Sequence, residues 1–176
     1  GVPPIFTLRG IAANDFSFTQ SRPIALYQDD SIRASPVFEA IPFFDIERVE
    51  ALKGPQGTLY GKNATGGAIN IVSKAPGFDT SGYLTLGYGK FNTREAKGAL
   101  QTALIDDILA SRLAFTYEKN DGFVRNLNPS PQANNQDQSD VVGVRLSLLF
   151  KPSSEFDATL RLGYNRSGGA AFATFG

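Results

Sequence analysis

From residue 79 onward, apolar and polar positions alternate with a period of two over long stretches, the signature of strands with two unlike faces. In residues 82–88, Leu84, Leu86 and Tyr88 share a face, with Thr85, Gly87 and Gly89 opposite. In 95–104, Ala96, Gly98, Leu100 and Leu104 oppose Glu95, Lys97 and Gln101. In 109–118, Leu109, Leu113, Phe115 and Tyr117 alternate with Ala110, Arg112, Thr116 and Glu118. In 142–151, Val142, Val144, Leu146, Leu148 and Phe150 alternate with Gly143, Arg145, Ser147 and Lys151. In 156–164, Phe156, Leu160, Leu162 and Tyr164 alternate with Asp157, Thr159, Arg161 and Gly163.

The pattern predicts five antiparallel strands of roughly ten residues, the length that crosses a bilayer when tilted. Strands of soluble sandwiches run to about 5–6 residues. The connections alternate too. Those at 90–92, 105–107 and 152–155 are short, whereas 121–140 is long, polar and rich in Asn, Gln and Pro. Outer-membrane barrels pair short periplasmic turns with longer external loops. Alternation alone fits equally a soluble all-β domain with one solvated face; strand length and loop alternation favour the barrel.

Residues 1–78 read differently. Short apolar runs, at 24–27 and 69–72, are broken by Gly, Pro and Asn. The amphipathic stretch 44–52 admits a helical turn leading into a strand, and Gly54-Pro55-Gln56-Gly57 is a strong turn signal.

Composition narrows the chemistry. Lys+Arg and Asp+Glu are both 17, so the formal charge is zero and the basic excess of a nucleic-acid binder is missing. With no His and no Cys, a His base, a thiolate nucleophile, a disulfide and Cys- or His-ligated zinc are all excluded. No stretch reaches the ~18 apolar residues of a membrane helix, which leaves barrel strands untouched. Gly57 to Lys62 has the wrong spacing for a phosphate loop, with Asn63 after the lysine. Gly87-x-Gly89 lacks a third glycine and precedes a strand. Asp29-Asp30 and Asp106-Asp107 read as turn acids, because adjacent strand residues point to opposite faces.

The run Asp45-Ile46-Glu47-Arg48-Val49-Glu50-Ala51-Leu52-Lys53-Gly54-Pro55-Gln56-Gly57-Thr58-Leu59-Tyr60-Gly61, continuing through Gly66-Gly67-Ala68-Ile69-Asn70-Ile71-Val72-Ser73-Lys74, closely resembles the end of the plug domain of TonB-dependent outer-membrane receptors. Ile5 to Gly10 resembles the Arg-Gly strand of the same plug, and Ala25 to Asp30 its strand ending in Asp-Gly, with Asp30 in place of the Gly. Residues 82–89 and 109–124 look like the family's opening barrel strands. Lys53 stands where the family commonly has Arg, which keeps the charge and loses the bidentate fork. The resemblance implies a mainly β fold: a small mixed α/β plug domain over 1–78, then the first five antiparallel strands of a transmembrane β-barrel over 79–176, incomplete. Receptors of this kind have ~22 strands around a plugged lumen. A signal peptide, a TonB box and the first plug strands are expected before Gly1, and most of the barrel after Gly176.

The resemblance implies ligand-gated uptake across the bacterial outer membrane, energised by TonB and its inner-membrane complex. The cargo it favours is a ferric siderophore; cobalamin, haem and an oligosaccharide remain open. No covalent chemistry is implied, hence no enzyme activity, catalytic residue, metal ligand or cofactor. Ligand contacts are expected at the plug apex, from Arg9, from Asn14, Phe16, Phe18 and Gln20, and from Arg33, Ser35 and Phe38. Alternatively Phe16, Phe18 and Phe38 pack on the barrel wall and Arg9 bridges plug and barrel. Glu47, Arg48, Glu50 and Lys53 are expected to make polar contacts with the inner wall. Gly54, Gly57, Gly61, Gly66 and Gly67 read as turn glycines. A structural or adhesive barrel piece lacks this plug motif, and a carbohydrate-binding β-domain lacks apolar outer faces on five long strands. Leu146, Leu148 and Phe150 are expected to face lipid, Arg145 and Ser147 the lumen, so that arginine at 146 harms assembly more than arginine at 147.

Overall fold

The computed structural model describes residues 7–8, 11–12, 24–32, 42–54, 67–122 and 138–168. They fall into two units. Among them, residues 42–45 pack with those from 75 onward, and the other described residues up to 74 form the second unit.

In that other unit, β1 (Thr7–Leu8) and β2 (Ile11–Ala12) pair antiparallel. A four-stranded sheet holds β3 (Ile24–Gln28), β4 (Ser31–Ile32), β5 (Ile46–Lys53) and β6 (Gly67–Ser73) in the order β4-β3-β6-β5. β3 and β6 are parallel and central. Their apolar runs are the near-continuous kind that a strand covered on both faces requires, and every residue of β3 is buried. Ala25, Tyr27 and Ala68 form the core, with Leu52 of β5 packed against it.

Asp29 and Asp30 join β3 to β4 with φ of 49° and 61°. A two-residue hairpin turn whose central residues both have positive φ is the type that suits strand twist, and Asp tolerates that region better than most residues. The carboxylates serve the turn. Ser73 N–H donates to Asp29 Oδ1 at 2.8 Å, and Asn70 Nδ2 to Asp30 Oδ1 at 3.1 Å.

The stretch 44–52 is not helical: from Ile46 it is strand, paired antiparallel to β6. The ladder shifts register between Ile46 and Arg48, which inserts Glu47 as an extra residue. That bulge breaks the clean alternation by which a strand is recognised in sequence. No helix occurs among the described residues, and none is therefore long and apolar enough to cross a membrane. Gly54 ends β5 at φ 88°, a conformation that favours glycine. Gly67 opens β6, while Gly57, Gly61 and Gly66 lie outside the described residues.

The unit from residue 75 is a five-stranded antiparallel meander of β7 (Ser81–Gly89), β8 (Thr93–Ile105), β9 (Leu109–Asn120), β10 (Ser139–Phe150) and β11 (Ala158–Gly168). The strands are 9 to 13 residues long. Three-residue turns at 90–92 and 106–108 close two hairpins, with positive φ at Phe91, Asn92 and Asp107. The last strand sits further along than alternation suggests: Phe156 and Asp157 precede it, and it continues to Gly168.

Cross-strand register aligns the faces. Tyr164, Val144, Phe115, Gly98 and Leu84 form one row on the outer face, and Leu162, Leu146, Leu113 and Leu100 the next. Val142 to Phe150 spans about 27 Å along the strand at ~3.4 Å per residue, or about 20 Å along the axis of a barrel tilted by ~40°. That approaches the ~25 Å apolar band of membrane barrels. Tyr88, Tyr117 and Tyr164 lie toward one end of this band, where Arg94, Lys119 and Asp140 share the row of Tyr88 and Arg166 shares the row of Tyr117. The opposite face is polar and largely covered: Gln101, Arg112, Thr116, Arg145 and Ser147 are buried.

Candidate functional site

The covered face of the meander receives residues 42–45, and the contact is ionic at its centre. Asp45 leads the chain into β5 with φ 52°. Arg112 of β9 takes the Asp45 carboxylate with both edges of its guanidinium. Nε lies 2.8 Å from Oδ2, and Nη2 lies 2.5 Å from Oδ1. Both side chains are only 3% exposed. The remaining guanidinium nitrogen, Nη1, donates to Gln101 Oε1 at 2.8 Å, and Gln101 Nε2 donates to Asp79 Oδ1 at 2.8 Å. The charge is therefore embedded in a relay of four side chains.

Arg145 of β10 approaches from the neighbouring strand. Its Nη2 donates to the carbonyls of Phe44 and Asp45, at 3.0 and 2.9 Å, and lies 3.5 Å from Asp45 Oδ2. Its guanidinium carbon sits 4.8 Å from the centre of the Phe44 ring, a cation–π arrangement. Tyr83 of β7 reaches Asp45 Oδ1 at 3.4 Å.

Phe44 is buried against Ala99 and Ala114. It fits because of Gly143: a Cβ there would lie 2.7 Å from the ring's Cε1. Small residues on three adjacent strands thus make a notch for one ring, and two arginines flank it. Two cations facing one carboxylate need external compensation, and the carbonyls and Gln101 supply it. Buried pairs hold only when such hydrogen bonds complete them.

Of the residues expected in the site, Arg9, Asn14, Phe16, Phe18, Gln20, Arg33, Ser35 and Phe38 all lie outside the described residues. Glu47, Arg48 and Glu50 are brought together with one another. Arg48 Nη1 lies 3.1 Å from Glu47 and its Nε 2.7 Å from Glu50, whose other oxygen accepts from Asn70 at 3.2 Å. The Arg48 hydrogen bond, with help from Asn70, holds the Glu50 carboxyl below its ordinary range. Lys53 is in β5, but its side chain is outside the described set. Among the described residues no group of three or more acidic side chains is spaced to hold a metal ion.

The residues that sequence reasoning missed are Phe44, Asp45, Gln101 and Gly143, and the joint role of Arg112 and Arg145. The available signal was a pair of arginines at inward positions of consecutive long strands. A buried cation at such a position requires an anion, and Asp45 opens the motif.

Residues 3–68 match the family described as TonB-dependent Receptor Plug Domain. The pesticin receptor of Yersinia enterocolitica is 33% identical over 144 residues, 81% of this chain and 20% of that protein. The ferrioxamine receptor of the same organism is 29% identical over 88% of this chain and 20% of its own length. Among solved structures, the ferric yersiniabactin uptake receptor of Yersinia pestis superposes with a TM-score of 0.72 at 28% identity, covering 84% of this chain and 23% of that one. The chain belongs to the TonB-dependent outer-membrane receptors. It spans about a fifth of the length of the curated relatives it matches. Its place is the bacterial outer membrane. In receptor terms, Phe44 and Asp45 come from the plug region and Arg112 and Arg145 from strands of the barrel wall. The cluster is a plug-to-wall clamp.

Proposed function

We propose that the whole receptor takes up a ferric siderophore across the outer membrane, gated by ligand and energised by TonB and its inner-membrane complex. The observation that carries this reading is the clamp itself. A sheet that is apolar outside and polar inside holds a plug segment through buried charge at Arg112 and Arg145. A barrel whose lumen is occupied in this way must be remodelled before anything passes, and remodelling requires energy from elsewhere. Relatives named as pesticin, ferrioxamine and ferric yersiniabactin receptors support the siderophore class.

The domain boundary we assign is a plug over 1–78 and barrel strands over 79–176. Ligand contact falls to Arg9, Asn14, Phe16, Phe18, Gln20, Arg33, Ser35 and Phe38, where aromatic rings mixed with a few polar groups suit an aromatic-rich iron chelate. Glu47, Arg48, Glu50 and Lys53 supply further polar contacts with the wall. The receptor does no covalent chemistry on its ligand and needs no cofactor. Its outer face contacts lipid. The test is growth of a strain lacking the receptor gene on defined iron sources. Loss of growth on one ferric siderophore, restored by the gene, supports the reading. Unchanged growth on every siderophore, with a defect on cobalamin or haem instead, redirects the ligand assignment.

A further inference from the structure

The arginines and lysines of the meander strands divide by face. Lys97, Arg112, Arg145 and Arg161 fall on the covered side. Three cations instead share the apolar outer face: Arg94 on β8, Lys119 on β9 and Arg166 on β11. All three are exposed. Arg94 and Lys119 are register partners, in the row of Tyr88 and Asp140, and Arg166 lies one row nearer the middle. Among the described strand residues, the opposite end of the outer face carries no cation. Its rows hold Leu109, Phe150 and Ala158, then Thr102, Ser111, Leu148 and Leu160.

Like charges set directly across an antiparallel pair repel. The sheet itself does little to relieve Arg94 and Lys119. Glu95 and Glu118 each adjoin the pair in sequence but point to the other face, where Glu95 pairs with Lys97. Asp140 faces Lys119 across the ladder, and its Oδ2 lies 3.4 Å from Arg166 Nη2. Arg94 reaches back to Asn92 Oδ1, a neutral acceptor, at 3.2 and 3.1 Å. Three cations thus meet one carboxylate on a face that is otherwise apolar, and the missing complement is an anion from outside the chain.

Position in the barrel says which anion. The Arg94 row stands just past the Val142–Phe150 band, about 5 Å further along the axis at ~3.4 Å per residue and ~40° of tilt. At this end β9 leads into the long connection 121–138, whereas the other end closes in short turns, so it is the external end. Lipid headgroups lie at that depth, and tyrosines gather there. Arginine matches phosphate oxygens with its planar fork, and lysine meets them as a point charge. Arg94 and Lys119 sit on neighbouring strands about 4.8 Å apart, within reach of one phosphate. Arg166 lies three strand spacings from Arg94, about 14 Å, and is placed for a second. A headgroup with two phosphates on a sugar backbone suits this spread, and a phospholipid brings only one.

We infer that Arg94 and Lys119, with Arg166 beside them, form an external lipid site that takes a phosphorylated glycolipid of the outer leaflet. The site rests on the outer face meeting lipid and on nothing in the uptake cycle.

Binding to the purified full-length receptor, delipidated in detergent, tests this. The probe is bisphosphorylated lipid A with a fluorescent acyl chain, compared with the same lipid stripped of its phosphates. Heat-modifiable gel mobility confirms that each receptor is folded. One variant carries Arg94→Gln with Lys119→Gln. The control is Lys151→Gln, an exposed cation beyond the other end of β10. The expected result is saturable binding by wild type, weakened about thirtyfold in the double variant at roughly fivefold per cation lost. Lys151→Gln leaves binding unchanged. The dephosphorylated lipid binds weakly, and to wild type and double variant alike. Equal affinity of wild type and double variant overturns the inference, as does tight binding of the dephosphorylated lipid. Inorganic phosphate and phosphatidylglycerol serve as competitors. Displacement of the probe by either at matching concentration also overturns the inference, because the surface then attracts anions in general. The assay involves neither TonB nor iron, so the uptake reading stands or falls apart from it.

Discussion

Arg112 meets Asp45 through two nitrogens, Nε at 2.8 Å and Nη2 at 2.5 Å, across 67 positions of sequence. The pair is nearly dry, and a carboxylate gripped in this way resists rotation as well as withdrawal. Removing one partner of a buried pair leaves the other uncompensated, at a cost of about 3–5 kcal/mol. Arg145 remains beside Asp45, so Arg112→Ala should fall toward the lower end of that range. Arg112→Lys keeps the charge but loses the fork and should fall between wild type and Ala. Asp45→Asn leaves two arginines facing a neutral amide and should also destabilise. Denaturant unfolding of the detergent-solubilised full-length receptor checks the series. An Arg112→Ala receptor within about 0.5 kcal/mol of wild type, the range of ordinary surface changes, would show that the clamp carries no load.

Gly143→Val tests the notch. The added carbons collide with Phe44 Cε1 and, at 3.0 Å, with Thr116 Cγ2 and Asn165 Oδ1. Overpacking of this kind costs about 1–3 kcal/mol, and here it pushes the plug segment off the wall. Cells carrying the variant should become sensitive to bulky antibiotics that the outer membrane normally excludes. A double-mutant cycle with Phe44→Ala should show coupling, since the ring is one of the two bodies that collide. Additive effects would place the disturbance elsewhere.

Arginine on the outer face should block assembly. At mid-membrane an outward Arg costs about 2–4 kcal/mol in a barrel. Leu146 lies in the outer row with Leu113 and Leu162. Ser147, the neighbour expected to tolerate arginine, is 1% exposed and pairs across strands with Arg112 and Arg161. A further cation there is crowded and repelled, so Ser147 is a poor control. Asn165 is the better one, exposed on the inward face. Leu146→Arg should reduce the folded, heat-modifiable form far more than Asn165→Arg. Equal losses would mean that the faces are reversed.

The Asp29-Asp30 turn yields a contrast between neighbours. Asp30→Gly relieves a positive φ, worth about 1–2 kcal/mol, and gives up one hydrogen bond from Asn70, worth about 1 kcal/mol. It should be close to neutral. Asp29→Ala keeps the strain and loses the acceptor for Ser73 N–H at 2.8 Å, so it should destabilise the sheet by about 1–2 kcal/mol. Protease sensitivity of the plug in the folded receptor ranks the two. Asp30→Gly proving the more damaging would contradict this account of the turn.

What was legible in the sequence divides by the range of the physics. Alternation is local, so the outer faces of β7 to β10 were readable residue by residue, and turns such as 90–92 followed from their flanking strands. The bulge at Glu47 spoiled the same signal in β5, where an amphipathic pattern looked helical. β11 was misplaced at its start because Phe156 continues the alternation without joining the ladder. The clamp was invisible for another reason. Arg112 and Arg145 could be assigned to the inward face, but nothing local says which anion meets them. That partner arrives from an irregular segment whose position only the tertiary fold fixes. The charges at Glu47, Arg48 and Glu50 stood out by density, yet their pairing with each other is the kind of exposed contact that contributes little.

Radiolabelled iron uptake tests the central claim most directly. Cells should carry the full-length receptor as their only route for a given ferric siderophore, with TonB present or deleted and with the proton-motive force intact or collapsed. The account requires saturable accumulation that disappears without TonB or without the proton-motive force, while ligand binding at the cell surface persists. Accumulation that continues without TonB would describe an open pore, and a plug clamped to the wall at Asp45 would then have no role in gating.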